Sequence, residues 1–544
     1  KFIDFETGKV VETLPIALPT GAVITAWNYD ARKQRVALGT QDGKVGSFRV
    51  EYASEMARKK GENAKITAAI KVEEFFAIGQ SGKPVKAVSF GDSEGSKIFA
   101  AIQDVDGAMQ VHAITIKAKR SLMGAGKPAV DRTFDLTPQL HGRPERLLSS
   151  AVGDGLLVAD DSGELDYFFL QSNGDLVLRQ QWAPFKGAAD PRLSSLGFVF
   201  GDVSIVATGM GGEQVVFSLY NQSVTKDGAT QEVRLYGQTK SFPKLKQAAT
   251  FFAAGQRNKT FLTGHGNQAS LRYVTTEAVR WSAELPFEVR SAVIDAKTEH
   301  MLFLDTKGNV HRYSLHDPHP EAGWKAFFGK IWYEGAQKPE YTWQSTGGTD
   351  DFEAKLSLTP LIVGSLKGTV YALVFALPIA LLAAVFSACY LPPRIKRILK
   401  PTMEIMASLP SVVLGFLAGL WLAPLIEEKI PSLLLTLVAL PTGAMVCGWA
   451  WSKLPVHVRS RVALGNEYLL VLVPTVVFGF IAWNLGPVLE QVLFLVQDPA
   501  TGKKGADFRL WWPDVTGTPF DQRNSLVVGF MMGFAVIPII FTIS

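Results

Sequence analysis

Side chains able to do acid–base, nucleophilic or metal chemistry occur along this chain, but they do not gather. His141, His265, His300, His311, His316 and His319 fall on separate turns and strands. No two of them have the i, i+4 spacing that sets a pair of imidazoles around a metal on one helix face. Asp154, Asp160 and Asp161 sit among Gly and Ser, where carboxylates serve turns and hairpins more often than a calcium loop. Gly124-Ala125-Gly126-Lys127-Pro128 lacks both the spacing of a phosphate loop and the hydroxyl that holds magnesium, so it reads as a flexible turn. The expectation is no catalytic residue, no metal ligand and no cofactor. Ser408 and Ser411 flank Pro410, and hydroxyls beside a helix break can contact an anion. The competing reading is that both hydroxyls only satisfy a kinked backbone.

Such serines need membrane helices to hold them, and composition supplies the runs. Five stretches are apolar over about the 20 residues that a bilayer requires: 368–393, 405–426, 430–452, 468–489 and 524–544. Each holds a proline, Pro378, Pro410, Pro441, Pro474 or Pro538, which removes a backbone hydrogen bond and kinks a helix. Arg394, Lys396, Arg397 and Lys400 in the first loop, with Lys453, Arg459 and Arg461 in the third, place those loops in the cytoplasm. Alternation then puts the Glu427-Glu428-Lys429 turn, the 490–523 loop with Trp511 and Trp512, and residues 1–350 on the opposite side. Lys503, Lys504, Arg509 and Arg523 in the 490–523 loop run against the charge rule there.

Lys+Arg 55 against Asp+Glu 50 gives a net charge of +5, too weak and dispersed for a nucleic-acid groove, so nucleic acid is not expected as a partner. Both cysteines, Cys389 and Cys447, lie in apolar runs, leaving the first 350 residues without a thiol framework. The chain opens at Lys1 with no signal-peptide pattern and closes at Ser544 on an apolar run, so both ends are expected to be cut.

Three segments carry a family likeness. Thr359-Pro360-Leu361-Ile362-Val363-Gly364-Ser365-Leu366, with Gly368-Thr369 and Ala376-Leu377-Pro378-Ile379, resembles the start of the permease core in phosphate ABC transporters of the PstC/PstA type. Met406-Ala407-Ser408-Leu409-Pro410-Ser411-Val412-Val413-Leu414-Gly415-Phe416 is similar to that family's Pro-Ser-Val-Val helix. Ala535-Val536-Ile537-Pro538-Ile539-Ile540 resembles the helix leading into its cytoplasmic coupling loop. The resemblance implies a permease subunit importing inorganic phosphate across a bacterial inner membrane by alternating access. Its partners would be ATPase subunits, which hydrolyse the ATP, a second permease subunit, a periplasmic phosphate-binding protein and the lipid bilayer. Ser408, Pro410, Ser411 and Gly415 become the substrate-pathway candidates. The runs at 430–452 and 468–489 depart from the family pattern, and about eight spans are expected in an intact protein.

The first 317 residues read as repeats. Ile24–Asn28, Val36–Thr40 and Val45–Val50, turned at Asp42-Gly43, look like a blade of a WD-repeat-type β-propeller. Further tight turns stand at Asp106-Gly107, Ser162-Gly163, Gly211-Gly212, Gly266-Asn267 and Lys307-Gly308. Glycine supplies the positive φ that such hairpins use, and the intervals lie near a blade period of about 40–50 residues. A seventh blade would be completed by Phe2–Leu14 together with missing residues or the C-terminal strands, and a β-sandwich or a non-closed array of hairpins is the alternative. The fold class is thus mixed: an all-β propeller-like domain, 1–317, a linker with an interfacial aromatic stretch, 318–358, and an α-helical transmembrane permease domain, 359–544. Two functions remain open: the phosphate permease, and a membrane-anchored periplasmic interaction or sensing protein whose permease-like part does not conduct.

Overall fold

The computed structural model describes every residue except 1, 4–9, 31–32, 56–64, 94–95, 122–123, 227–228, 350, 409, 461, 463–466, 498–503 and 522–523. It divides into two compact units, Lys1–Leu358 and Thr359–Ser544.

In the first unit the repeats fold as six antiparallel sheets in succession, a six-bladed β-propeller. The innermost strands are Ile24–Asp30, Val85–Ser93, Pro144–Ser149, Leu193–Phe198, Phe251–Ala254 and Val289–Ile294. Period-two alternation explains the stacking, because successive side chains of a strand face opposite neighbours. In the third blade Leu156 and Val158 pack with Ile98, Ala100 and Ile102 of the second, whereas Leu157 and Ala159 pack with Ile205 and Ala207 of the fourth. A strand covered on both faces is mostly apolar or small, and Gly155–Asp160, Ser204–Gly209 and Thr260–His265, buried at every position, depart from this chiefly at their ends, Asp160 and His265.

All six expected turns join the second and third strands of their blades, with positive φ at Gly43, Gly107, Gly163, Gly212, Gly266 and Gly308. Two expectations need correcting. The described residues form no seventh blade: Phe2–Ile3 pairs only with Val10–Glu12, and the sixth sheet keeps three strands. Gly124-Ala125-Gly126-Lys127-Pro128 is not a turn. It opens the strand Gly124–Asp135, in register with Ala108–Ser121 through Ser121↔Gly124 and Ala118↔Pro128, so its glycines are held by a ladder.

Residues 318–358, read from sequence as a linker, carry their own structure. Helix α1, Trp324–Phe328, precedes the buried Ile331 and Tyr333, and Trp343–Gln344 pairs with Lys355–Leu356. A parallel bridge from Tyr220 to Gly335 ties this strap to the fourth blade.

The second unit is helical: α2 Thr359–Cys389, α3 Pro393–Ala407, α4 Ser411–Leu417, a π-helical turn Ala418–Leu422, α5 Ala423–Glu428, α6 Ile430–Lys453, α7 Val456–Arg459, α8 Glu467–Leu493, α9 Phe508–Thr516 and α10 Ser525–Ile543. Among the described residues α2, α6 and α8 are long and apolar enough to cross a membrane, α8 over Leu472–Leu493, with a fourth span if α3 and the bent stretch after it count together. Their outer faces carry large apolar side chains in the open, Leu366, Val374 and Leu382 among them, as suits helices solvated by lipid. Small residues let the helices approach. At Gly529 of α10 a Cβ would stand 2.5 Å from the Tyr371 Cβ, and at Gly533 one would stand 2.9 Å from the Ala372 carbonyl oxygen.

Candidate functional site

The sequence-derived pathway residues lie where the helical unit breaks. A single helix kinked at Pro410 was expected. Instead α3 ends at Ala407 and is capped by Ser408, whose backbone N–H reaches back to the carbonyls of Glu404, Ile405 and Met406, and Pro410, with ψ of 128°, stands in extended conformation before α4. Pro410 has no N–H to continue the ladder and its own ψ is extended, so the helix stops before it and restarts after it. Ser408 Oγ donates to the Ile405 carbonyl at 2.7 Å, the backbone-satisfying role weighed above. Leu409 and the Ser411 side chain lie outside the described residues.

Gly415 is placed with other groups. Together with Leu414, Ala418, Gly419 and Ala423 it lines a crevice of about 200 Å³ closed by Val527, Val528, Met531, Met532 and Ala535 of α10. A second hollow on its other flank is lined by Val412, Gly415, Phe416, Gly419 and Leu420. Outside its own stretch of helix, no atom among the described residues comes within 4 Å of where a Cβ would stand at Gly415 or Gly419. The π-helical turn at Ala418–Leu422 interrupts the α-helical ladder here, a feature frequent at functional sites. The structure therefore brings Gly415 into a crevice and leaves Ser408 on its own backbone.

A charge cluster that sequence reasoning missed lies in the propeller unit. Lys259 Nζ donates to Glu334 Oε2 at 2.6 Å and also to the Phe200 carbonyl; Glu334 Oε1 accepts from Ser204 Oγ at 2.6 Å. Glu353 Oε2 accepts the Glu334 backbone N–H at 2.9 Å, and its Oε1 accepts from Thr275 Oγ1. Lys240 Nζ is buried with no hydrogen-bond partner among the described residues. Burial raises the Glu334 carboxyl above its ordinary value despite Lys259, and burial lowers Lys240 despite the attraction of Glu353 and Glu334. The two carboxylates come from the strap and the two ammonium groups from the fourth and fifth blades. Desolvated charges survive only when paired, so the cluster fastens the strap to the propeller. No local motif signals it, since Lys259 and Glu334 are far apart along the chain.

The six blades also enclose an axial cavity of about 380 Å³. Tyr29, Phe90, Phe198, Phe200 and Phe252 line it, with Arg35 and Asp202. Arg35 is paired at 2.9 Å with Glu73 and more closely with Asp92. Asp202 accepts the Ala151 N–H at 2.7 Å, so both charges already hold neighbouring blades.

The histidines do not form one site. His311 Nε2 lies 3.0 Å from Asp305 Oδ2 with its ring stacked on Phe287, and His141 and His319 pair with Glu164 and Glu321. His300 meets Asp295 and Glu299, with potential ligand atoms within 4.8 Å of one another. Turn geometry accounts for that approach, because Asp295 Oδ1 accepts the Glu299 and His300 backbone N–H groups. Asp160 likewise accepts from Ser162 and Glu164 N–H, Asp154 from Ser150 Oγ, and Asp161 from Arg143 N–H.

No family model matches the chain. Among curated proteins it is similar to the probable ABC transporter permease protein YqgH of Bacillus subtilis, 28% identical over 120 residues. The match covers 20% of this chain, and the chain spans 39% of that relative's length. Solved structures similar to it include the Myceliophteria thermophila Cps50 (Swd1) β-propeller domain, at 11% identity and TM-score 0.36 over 58% of this chain and 89% of that one. Another is Chaetomium thermophilum Sqt1 bound to the N-terminus of ribosomal protein L10, at 14% identity and TM-score 0.32 over 54% and 72%.

Proposed function

We propose that this chain is a permease subunit of an ATP-driven importer and that its cargo is inorganic phosphate. The observation that carries the reading is the broken helix at Ser408–Pro410 in the permease-like segment, followed by a π-helical turn beside an open glycine face. A break of that kind gives a membrane helix two arrangements to move between, which alternating access needs. Ser411 would offer its hydroxyl to a passing phosphate, with Gly415 leaving room for it. ATP hydrolysis would fall to separate ATPase chains, delivery to a phosphate-binding protein, and the second half of the pathway to another permease subunit. Residues 1–350 would face the periplasm of a bacterial inner membrane.

Phosphate uptake in a strain lacking the gene, complemented with wild type, Ser411→Ala or Pro410→Ala, tests the proposal. Wild type should restore uptake, and both variants should lower it more than they lower protein abundance. Normal transport by both at wild-type abundance would make the segment structural only. No uptake defect in the deletion strain would remove phosphate as cargo. The axial cavity favours a second reading, in which the propeller binds a partner and the helices serve as an anchor. An intact membrane level with no transport of any oxyanion would support that one.

A further inference from the structure

The helix α3 was read from sequence as a loop whose basic residues only set orientation. It is 15 residues of helix, and its axis is turned by 83° from the stretch Val412–Glu428 that follows. On a helical wheel its side chains separate cleanly. Ile395, Ile398, Leu399, Met403, Ile405 and Met406 share one side, while Lys396, Arg397, Lys400 and Glu404 share the other, with Arg394 at the boundary. The apolar side is only partly used: α3 packs against α10 and Ile395, Leu399, Met403 and Met406 are half-buried, but Ile398 and Ile405 stay 70% and 67% exposed.

The basic residues also divide. Lys396 Nζ is engaged at 2.9 Å by the Ala388 carbonyl near the end of α2, where a cation suits the helix dipole. Arg394, Arg397 and Lys400 are exposed, and among the described residues none has a carboxylate oxygen within 4.0 Å. Their i, i+3 spacing puts neighbours on adjoining turns, and Arg394 borders the exposed Ile398.

We infer that α3 lies in the membrane interface and binds anionic phospholipid, with headgroup phosphates on Arg394, Arg397 and Lys400 and acyl chains against Ile398 and Ile405. The partner follows from two features together. Apolar residues exposed beside cations suit a surface that is apolar below and anionic above, and the flanking helix α2 is long and apolar enough to cross a bilayer. Arginine forks match phosphate oxygens in pairs of hydrogen bonds. The inference needs the bilayer but not the transport of phosphate.

The test uses the full purified chain in mixed micelles, with headgroup-labelled phosphatidylglycerol as probe and labelled phosphatidylcholine as the comparison. Wild type should prefer the anionic lipid. Each basic residue near an anionic surface is worth about 1 kcal/mol, or about fivefold in affinity, so Arg394→Gln/Arg397→Gln/Lys400→Gln should lose roughly 100-fold. Lys453→Gln/Arg459→Gln, which removes positive charge elsewhere, should keep the preference. Excess inorganic phosphate should not displace the lipid, since it lacks the acyl chains. Equal binding of the two lipids by wild type, an unchanged preference in the triple variant with unchanged helical circular dichroism, or full displacement by phosphate would each overturn the inference. All three readings are independent of uptake.

Discussion

Replacing Lys259 by Met probes the strap most directly. The substitution keeps the length of the side chain while deleting the ammonium that sits 2.6 Å from Glu334, in a pair whose side chains are 3% and 11% exposed. Breaking a buried pair by removing one partner costs about 3–5 kcal/mol, because the remaining charge is left desolvated. Here that charge can be relieved by a proton. Burial already raises Glu334 above 4.5, so its proton is bound more tightly in the folded state than in the unfolded. The stability linked to that proton is fully present below the unfolded value and is lost as pH rises through the folded one. Without Lys259 the folded value climbs further. The variant should therefore lose little at about pH 4 and the full 3–5 kcal/mol at about pH 8. Amide exchange at Glu334, whose N–H is held by Glu353, reads the local opening. Corrected for intrinsic rates, it should accelerate by roughly two to three and a half orders of magnitude at the higher pH, at tenfold per 1.4 kcal/mol. Equal acceleration at both pH values, or none at either, would refute the argument that the pair fastens the strap.

Residues 1–358 produced alone should fold as a β-rich soluble unit by circular dichroism, whereas residues 1–345, which lack Glu353 and the strand Lys355–Leu356, should unfold at lower urea. A mostly helical spectrum would sink the propeller. Asp166 is buried with one oxygen unbonded, and desolvation pushes its carboxyl from 3.8 up to about 6. Asp166→Asn should therefore gain up to about 3 kcal/mol above pH 6 and nothing near pH 4, measured by urea unfolding. A Cβ added at Gly415 meets no atom within 4 Å outside its own stretch of helix, so Gly415→Ala should fold while uptake falls if the open face is needed for transport. Cysteines placed at Glu428 and Asp514 of a chain lacking Cys389 and Cys447 should label from outside spheroplasts and one at Arg397 should not; the reverse would invert the orientation.

What the sequence discloses follows from how far each interaction reaches along the chain. Blades and their turns are local: Asp42-Gly43 and Lys307-Gly308 need only a few residues to require a hairpin, and Leu156–Ala159 must be covered on two faces wherever they end up. The break at Pro410 is nearly local, and only its form differs, because composition marks a weak point without deciding between a kink and an interruption. The amphipathic character of α3 is also written in order along Arg394–Met406, but a loop between apolar runs and a helix in the interface have the same charges; periodicity separates them only when tested at 3.6 residues. The strap is different in kind. Glu334 and Glu353 stand in a stretch with Pro320, Pro339 and Gly347-Gly348, the composition of a linker, and their hydrogen-bond partners Ser204, Lys259 and Thr275 are spread over the fourth and fifth blades. Nothing within a window of residues distinguishes such a carboxylate from a solvated one. Burial creates the distinction, since an ammonium desolvated between blades has few ways to remain charged other than to hold an acid from elsewhere in the chain.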